Sequence, residues 1–257
     1  MNLVDTHTHL FLPEFDADRV DMMQRALDKR VARFFLPNID GTTVASLLKT
    51  CDEFPSNCFP MIGLHPCSVD ANYEKQLAEI KGWFGKRKFY AVGEIGIDLY
   101  HDTTYVEQQK VAFRTQIEWA KEMNLPIIIH CRNSFNEVMD IVTKLHDDRL
   151  KGIFHCFSGT VEEAKRVMDL KSFKMGIGGV VTYKKSTLPQ VLKEIPLSHI
   201  VLETDSPYLT PVPFRGKRNE SSYLWYVADK LSEIYRVPIE EIAAVTTQNA
   251  MEVFGQF

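Results

Sequence analysis

Apolar residues in this chain follow two rhythms. Short apolar runs closed by Gly, Pro or polar residues read as buried strands, and apolar residues at three- and four-residue spacing read as amphipathic helices. The first run spans Leu3 to Leu10 (Leu-Val-Asp-Thr-His-Thr-His-Leu), and Val20, Met23, Leu27 and Val31 follow at helical spacing. Arg33 to Ile39 is the second strand, broken by Gly41, with Val44, Leu47 and Leu48 marking the second helix. Cys58 to Leu64 and Phe89 to Ile95 are the third and fourth strands, separated by a helix around Tyr73 to Phe84. Val106, Phe113, Ile117 and Ala120 stripe the next helix. Pro126 to Arg132, Gly152 to Gly159, Phe173 to Gly179 and Ile200 to Thr204 supply the last four strands, with helical patterns between them. Helices near Ser221 to Tyr235 and Ile239 to Phe254 close the chain. Thr104 to Glu107, Ser134 to Glu137 and Thr160 to Glu163 each carry the capping-box pattern that opens a helix.

Eight strand–helix units predict an α/β fold, a (β/α)8 TIM-type barrel, with residues 1–257 forming a single domain. A doubly wound open sheet is the alternative. The barrel is preferred because residues capable of chemistry end six of the eight strands, and a barrel gathers those ends around one mouth. They are His7 and His9, His65, Glu94, His130, His155, and the pair Glu203 and Asp205. Strand alternation turns Asp5, His7 and His9 to one face, and likewise Glu203 and Asp205. Two inward carboxylates would repel unless they share a cation or a proton.

Imidazoles mixed with carboxylates suit zinc, manganese, iron or cobalt better than an all-oxygen magnesium cage. The donors outnumber the three protein ligands of a single open catalytic zinc, so two divalent ions bridged by a carboxylate are expected. A lone histidine at a strand end is more often a packed core residue, but several buried together without partners would each cost kilocalories. His101, His146 and His199 lack such a placement and are assigned to loops or helices. Cys131 and Cys156 flank the candidate ligands, and alternation turns them away from the axis into core packing; the role of Cys67, near the mouth, is open.

Charge and cysteine usage narrow the class. Net charge is −4, which argues against gripping nucleic acid by bulk electrostatics; bound cations would reverse that sign locally. No apolar run approaches a membrane span of about 18 residues, Asp5 and His7 come too early for a signal peptide, and the five cysteines form no C-x-x-C pair. A cytoplasmic protein with free thiols is expected, with no membrane association and no obligate protein partner evident.

The motifs resemble those of the TatD-type metal-dependent deoxyribonucleases, within the amidohydrolase-like barrel superfamily. The matching pieces are D-T-H-T-H at 5–9, G-L-H-P at 63–66, G-E-I-G-I-D at 93–98, I-I-I-H-C-R at 127–132, F-H-C-F-S-G at 154–159, E-T-D-S-P-Y-L at 203–209 and P-V-P-F-R-G-K-R-N-E at 211–220. The resemblance implies that His7, His9, Glu94 and Asp205 hold one ion. It implies that Glu94, His130 and His155 hold the other, with Glu94 bridging. His65 and Glu203 match further site residues, as metal or substrate ligands. The implied activity is cleavage of DNA phosphodiesters by an activated water.

Asp205 is then either the general base or a ligand only, and His65 either assists the leaving group or binds metal. Arg132 shares alternation with His130 and either grips a phosphate or makes a local salt bridge. Arg215, Lys217 and Arg218 lie past the eighth strand, where this architecture often keeps phosphate contacts; a solvated loop is the plainer reading. Lys184 and Lys185 are a weaker version of the same. Tyr183, Tyr208 and Phe214 either stack on bases or wall the pocket. A concave mouth favours single strands or ends, with 3'-5' exonuclease-like action. Two rivals stand beside this reading: a hydrolase of a small ester, lactone or amide on the same barrel, and a cytosolic metal-dependent binding protein whose hydrolysis is incidental.

Overall fold

The computed structural model describes residues 2–257. Eight strands run in chain order: β1 (Leu3–Asp5), β2 (Val31–Pro37), β3 (Cys58–Met61), β4 (Val92–Asp98), β5 (Ile127–Arg132), β6 (Gly152–Phe154), β7 (Phe173–Ile177) and β8 (Ile200–Leu202). Between and after them lie helices α1 (Arg19–Asp28), α2 (Val44–Glu53), α3 (Tyr73–Lys81), α4 (Val106–Met123), α5 (Phe135–Leu145), α6 (Val161–Asp169), α7 (Leu188–Leu192), α8 (Leu224–Tyr235) and α9 (Ile239–Phe254). The strands pair in parallel as β1-β2-β3 and β4 through β8. Two seams join these arcs. Ile62 bridges Val92 beyond the end of β3, and Thr6 N–H donates to Leu202 O (2.9 Å) between β1 and β8. The ring is the TIM-type barrel expected from the strand–helix alternation.

Strand alternation divides the core. Val4, Phe35, Phe59, Met61, Ala91, Ile128, Ile153 and Val201 form one cluster inside the ring, together with Ala250, Val253 and Phe254 of α9. The α9 helix thus plugs the end opposite the strand C-termini. The residues next to these in the strands, such as Phe34, Ile127, Ile129, Phe154 and Leu202, belong to the larger cluster shared with the helices.

The strands are shorter than the apolar runs. β1 ends at Asp5 instead of Leu10, β6 at Phe154 instead of Gly159, and β8 at Leu202 instead of Thr204. Past these points the chain bends toward the mouth and keeps backbone bonds to neighbouring segments: Thr8 N–H donates to Phe35 O of β2, and His9 N–H to Ser206 O in the loop after β8. Two of the three capping boxes do not form. Ser134 Oγ donates to Ile97 O (2.6 Å) on β4 instead of capping α5, and α4 starts after Tyr105 without a side-chain cap. The Thr160–Glu163 box on α6 forms in both directions. Among the described residues, no helix is long and apolar enough to cross a membrane.

Candidate metal centre

Glu94 sits at the middle of the mouth because β4 carries a bulge. Val92 pairs with Ile127 and Ile95 with Ile129, so Gly93 and Glu94 share the step that Ile128 takes alone. The extra residue re-aims the side chain. Glycine is required beside it, since a Cβ at 93 would lie 2.6 Å from the Ile128 side chain. Gly96, at φ +149°, lets β4 approach β5 where a Cβ would strike the carbonyl of His130.

The two oxygens of the Glu94 carboxylate face different histidines. Oε2 lies 3.1 Å from His7 Nε2 and 3.8 Å from His9 Nε2. Oε1 lies 2.8 Å from His130 Nδ1, 3.4 Å from His65 Nε2 and 3.8 Å from His155 Nε2. Asp205 Oδ1 completes the first group, 3.4 Å from His9 Nε2 and 3.7 Å from both His7 Nε2 and His155 Nε2. The Nε2 atoms of His7 and His9 are 3.3 Å apart. Donors bound at about 2.1 Å to one tetrahedral ion are separated by roughly 3.4 Å, so the His7–His9 spacing fits a divalent transition ion on the Oε2 side of Glu94; on the Oε1 side the donors that converge are those of His65, Glu94 and His130. His9, His65, Glu94, His130, His155 and Asp205 line one cavity of about 750 Å³; His7 lies beneath it, fully buried.

Asp205 does not reach this position by strand alternation. β8 has ended, and Asp205 adopts a left-handed φ of 56° that turns its carboxylate into the mouth. Glu203 is placed differently: its Oε1 accepts from Cys156 N–H (2.6 Å) and lies 2.9 Å from His155 Nδ1, behind that ring. Gly176 makes room for it, since a Cβ there would overlap Glu203 Oε2. Asp5 is not among the converging donors either. It is fully buried, where its carboxylate accepts from Thr204 N–H and Oγ and from Ser221 Oγ. This ties the loops after β1 and β8 together. Burial pushes its pKa up to about 7 against the pull of those donors.

Charge in the cluster is strongly coupled. Burial alone would raise Glu94, yet the imidazoles of His65, His7 and His155 and the bond to His130 hold it well below the usual carboxylate range. His130 is pulled down by burial but carried up to about 9 by its bonds to Asp98 and Glu94. His155 likewise is carried up to about 10 by the charges of Glu203, Glu94 and Asp205. Burial lowers His7 and His65.

Of the expected basic substrate contacts, only Arg132 lines the central cavity; its guanidinium lies 4.0 Å over the Tyr100 ring. Arg215 stacks 3.8 Å over Tyr183, and Lys217 lies 5.8 Å from the Phe214 ring. Arg218 is engaged elsewhere, forked onto Asp18 (2.7 and 2.8 Å) and donating to Glu14 O. Tyr208 lines the cavity, 49% exposed.

Three residues sit where sequence alternation did not put them. Cys131 and Cys156 line the cavity instead of packing only into the core; Cys156 follows the end of β6 with φ 48°. His101, assigned no placement at the mouth, lines it too. Asp98 was missed as a site residue: its Oδ2 lies 2.8 Å from His130 Nε2. The even, four-residue step from the candidate Glu94 to Asp98 along one strand was the signal for it.

Comparison with known proteins identifies relatives across nearly the whole chain. The family model described as TatD related DNase matches residues 4–255. The uncharacterized metal-dependent hydrolase YabD of Bacillus subtilis is 40% identical over 253 residues, 98% of each chain. YjjV of Escherichia coli K12, also an uncharacterized metal-dependent hydrolase, is 31% identical over 255 residues, covering 98% of this chain and 97% of that protein. The crystal structure of YjjV, a TatD homolog from Escherichia coli K12, superposes with a TM-score of 0.93, covering 99% of this chain and 98% of that one.

Proposed function

Because the chain belongs to the TatD-related DNase family of metal-dependent hydrolases, we propose that it hydrolyses phosphodiester bonds in DNA, acting on single strands or ends with 3'-5' exonuclease-like polarity. The observation that carries the reading is the two-sided environment of Glu94, with two distinct donor sets on its two oxygens. In the proposed assignment His7, His9, Glu94 and Asp205 hold one divalent ion, and Glu94, His130 and His155 hold the second. When bound, such a pair acidifies a water and offsets the charge on phosphate oxygens.

The chain's own residues supply the rest. Asp205 lies at the open side of the cluster and is the proposed proton acceptor for the attacking water. Glu203, expected as a ligand, is better suited to orienting His155 through its Nδ1 edge, as carboxylates behind metal-bound imidazoles do. His65 faces the same Glu94 oxygen as His130 and is positioned to bind metal or to steady the leaving oxygen. Arg132 holds a phosphate at the cavity wall, with Arg215 and Lys217 contacting the strand further out. Arg218 is left out of that role in this proposal because its guanidinium is forked onto Asp18.

Purified protein loaded with zinc, manganese, cobalt or magnesium is to be assayed on end-labelled single- and double-stranded DNA, RNA, and a panel of small esters, lactones and amides. Shortening ladders from the 3' end of DNA, lost by about 10²-fold or more in Asp205→Asn with the fold retained, are expected. Turnover confined to carboxylic substrates would sink the DNA reading and favour the small-substrate hydrolase. Full DNA cleavage by Asp205→Asn would move the base elsewhere.

A further inference from the structure

A second group of donor side chains stands on the cavity wall, outside the central cluster. Cys67 lies in the 3-10 turn Pro66–Ser68 after β3, Asp98 ends β4, and His101 lies in the loop that follows. Cys67 Sγ is 3.7 Å from His101 Nδ1, and His101 Nδ1 is 2.9 Å from Asp98 Oδ2. All three donor atoms lie within 4.8 Å of one another. Their supports are already in place. Asp98 Oδ1 accepts the N–H groups of Tyr100 and His101, both at 2.9 Å, which leaves Oδ2 turned toward the cluster. Cys67 N–H donates to His65 Nδ1 at 3.1 Å, fixing the turn that carries the thiol.

We propose that Cys67 Sγ, Asp98 Oδ2 and His101 Nδ1 form a third divalent-cation site on the rim of the cavity, one that takes zinc-like ions in preference to magnesium or manganese. Around a tetrahedral zinc with Zn–S of about 2.3 Å and Zn–N of about 2.0–2.1 Å, sulfur and nitrogen donors are separated by roughly 3.6 Å. The observed 3.7 Å matches that spacing. The nitrogen–oxygen pair must open by about half an ångström to reach its own spacing of roughly 3.4 Å, a movement open to the solvent-exposed His101 ring. A thiolate beside an imidazole and a carboxylate selects borderline-soft ions; the hard ions magnesium and manganese favour oxygen donors. Binding replaces the S–H proton with an S–metal bond and releases that proton to solvent; nothing is oxidised or reduced. Three protein donors leave a coordination position free, as in open zinc sites, and Cys67 and His101 both line the cavity. The site also touches the central cluster directly, through Asp98 Oδ2 and His130 Nε2 and through Cys67 N–H and His65.

Cobalt(II) distinguishes the two sites without any assay of turnover. The central donors assigned above are all nitrogen and oxygen, so a thiolate-to-cobalt charge-transfer band in the near ultraviolet reports the outer site alone. Metal-free protein titrated with cobalt is expected to develop that band and to take up three equivalents, with zinc abolishing the band and magnesium leaving it. Cys67→Ser and, as a second variant, His101→Gln are expected to take up two equivalents; Cys67→Ser loses the band. Asp205→Asn should keep the band while weakening the central ions. Absence of the band in the wild-type protein, or a band and stoichiometry unchanged in Cys67→Ser, overturns the site. Unchanged central binding in Asp205→Asn overturns the central assignment and leaves the outer one standing.

Discussion

At the scale of single residues, the mouth of the barrel is a set of groups whose protonation is decided by neighbours. His130 and His155 have pKa values carried from an ordinary 6.5 to about 9 and about 10, so without ions both are protonated at neutral pH. A base with a raised folded pKa contributes stability that is fully present below 6.5 and is lost as pH rises through 9 to 10. Metal binding demands the neutral imidazole, so the two equilibria compete. Apparent affinity for the central ions is therefore expected to rise as pH is raised from 7 toward 9. Filling the central sites at pH 7 should release about two protons from these histidines. Calorimetric titration of Cys67→Ser in two buffers of different ionisation enthalpy measures that number, with no outer-site thiol to add to it. A count of zero would mean either that both imidazoles are already neutral before the ions bind or that they are not ligands. Asp98 and Glu203 belong to the same picture, each a buried carboxylate within 2.9 Å of one of these rings.

At the scale of elements, similar local sequences take different roles according to what lies beside them. Thr160-Val-Glu-Glu163 and Ser134-Phe-Asn-Glu137 are both capping-box patterns, yet only Thr160 caps its helix; Ser134 is buried and spends its hydroxyl on Ile97 O of β4. Thr160→Ala is expected to cost about 1 kcal/mol, and Thr160→Asn to recover most of it, because asparagine caps as well. Ser134→Asn should recover nothing relative to Ser134→Ala, since what each loses is a tertiary hydrogen bond of about 1 kcal/mol. Urea unfolding of the four variants separates the two cases, and rescue by Ser134→Asn would mean that the capping role dominates. The bulge in β4 is a second instance. The run Ala-Val-Gly-Glu-Ile-Gly-Ile-Asp reads as an ordinary buried strand, and only pairing against Ile127 and Ile129 exposes the extra step that aims Glu94 inward.

At the scale of the whole molecule, stability and chemistry sit at opposite ends of the barrel. Phe254 of α9 stacks on Phe35 inside the ring, centroids 3.8 Å apart, at the end away from Glu94. Phe254→Ala is expected to cost about 3 kcal/mol in unfolding free energy while leaving metal content and turnover of the folded protein unchanged. Loss of bound metal at full folding would contradict this division. The negative net charge of −4 places the burden of holding a polyanion on a few cations near the mouth. Replacing Arg215 and Lys217 by alanine should reduce the slope of log affinity for single-stranded DNA against log salt by about 1.4, from roughly 0.7 per phosphate contact. An unchanged slope would remove that loop from the substrate path.

The order of strands and helices, the barrel they close, and the convergence of His7, His9, Glu94, His130, His155 and Asp205 on one mouth were legible in the chain. Apolar period and strand-end position are local properties, and a parallel barrel leaves its strand ends only one place to meet. Side-chain direction past those ends was not legible. β1, β6 and β8 stop early, and the left-handed turns at Cys156 and Asp205 break the alternation that sequence reading extends. Glu203 and Asp205, two residues apart, therefore part company, one behind His155 and one before it. Arg218 likewise found Asp18, 200 residues away. Which polar group a loop side chain meets depends on contacts between segments remote in sequence, and only the folded chain brings those segments together.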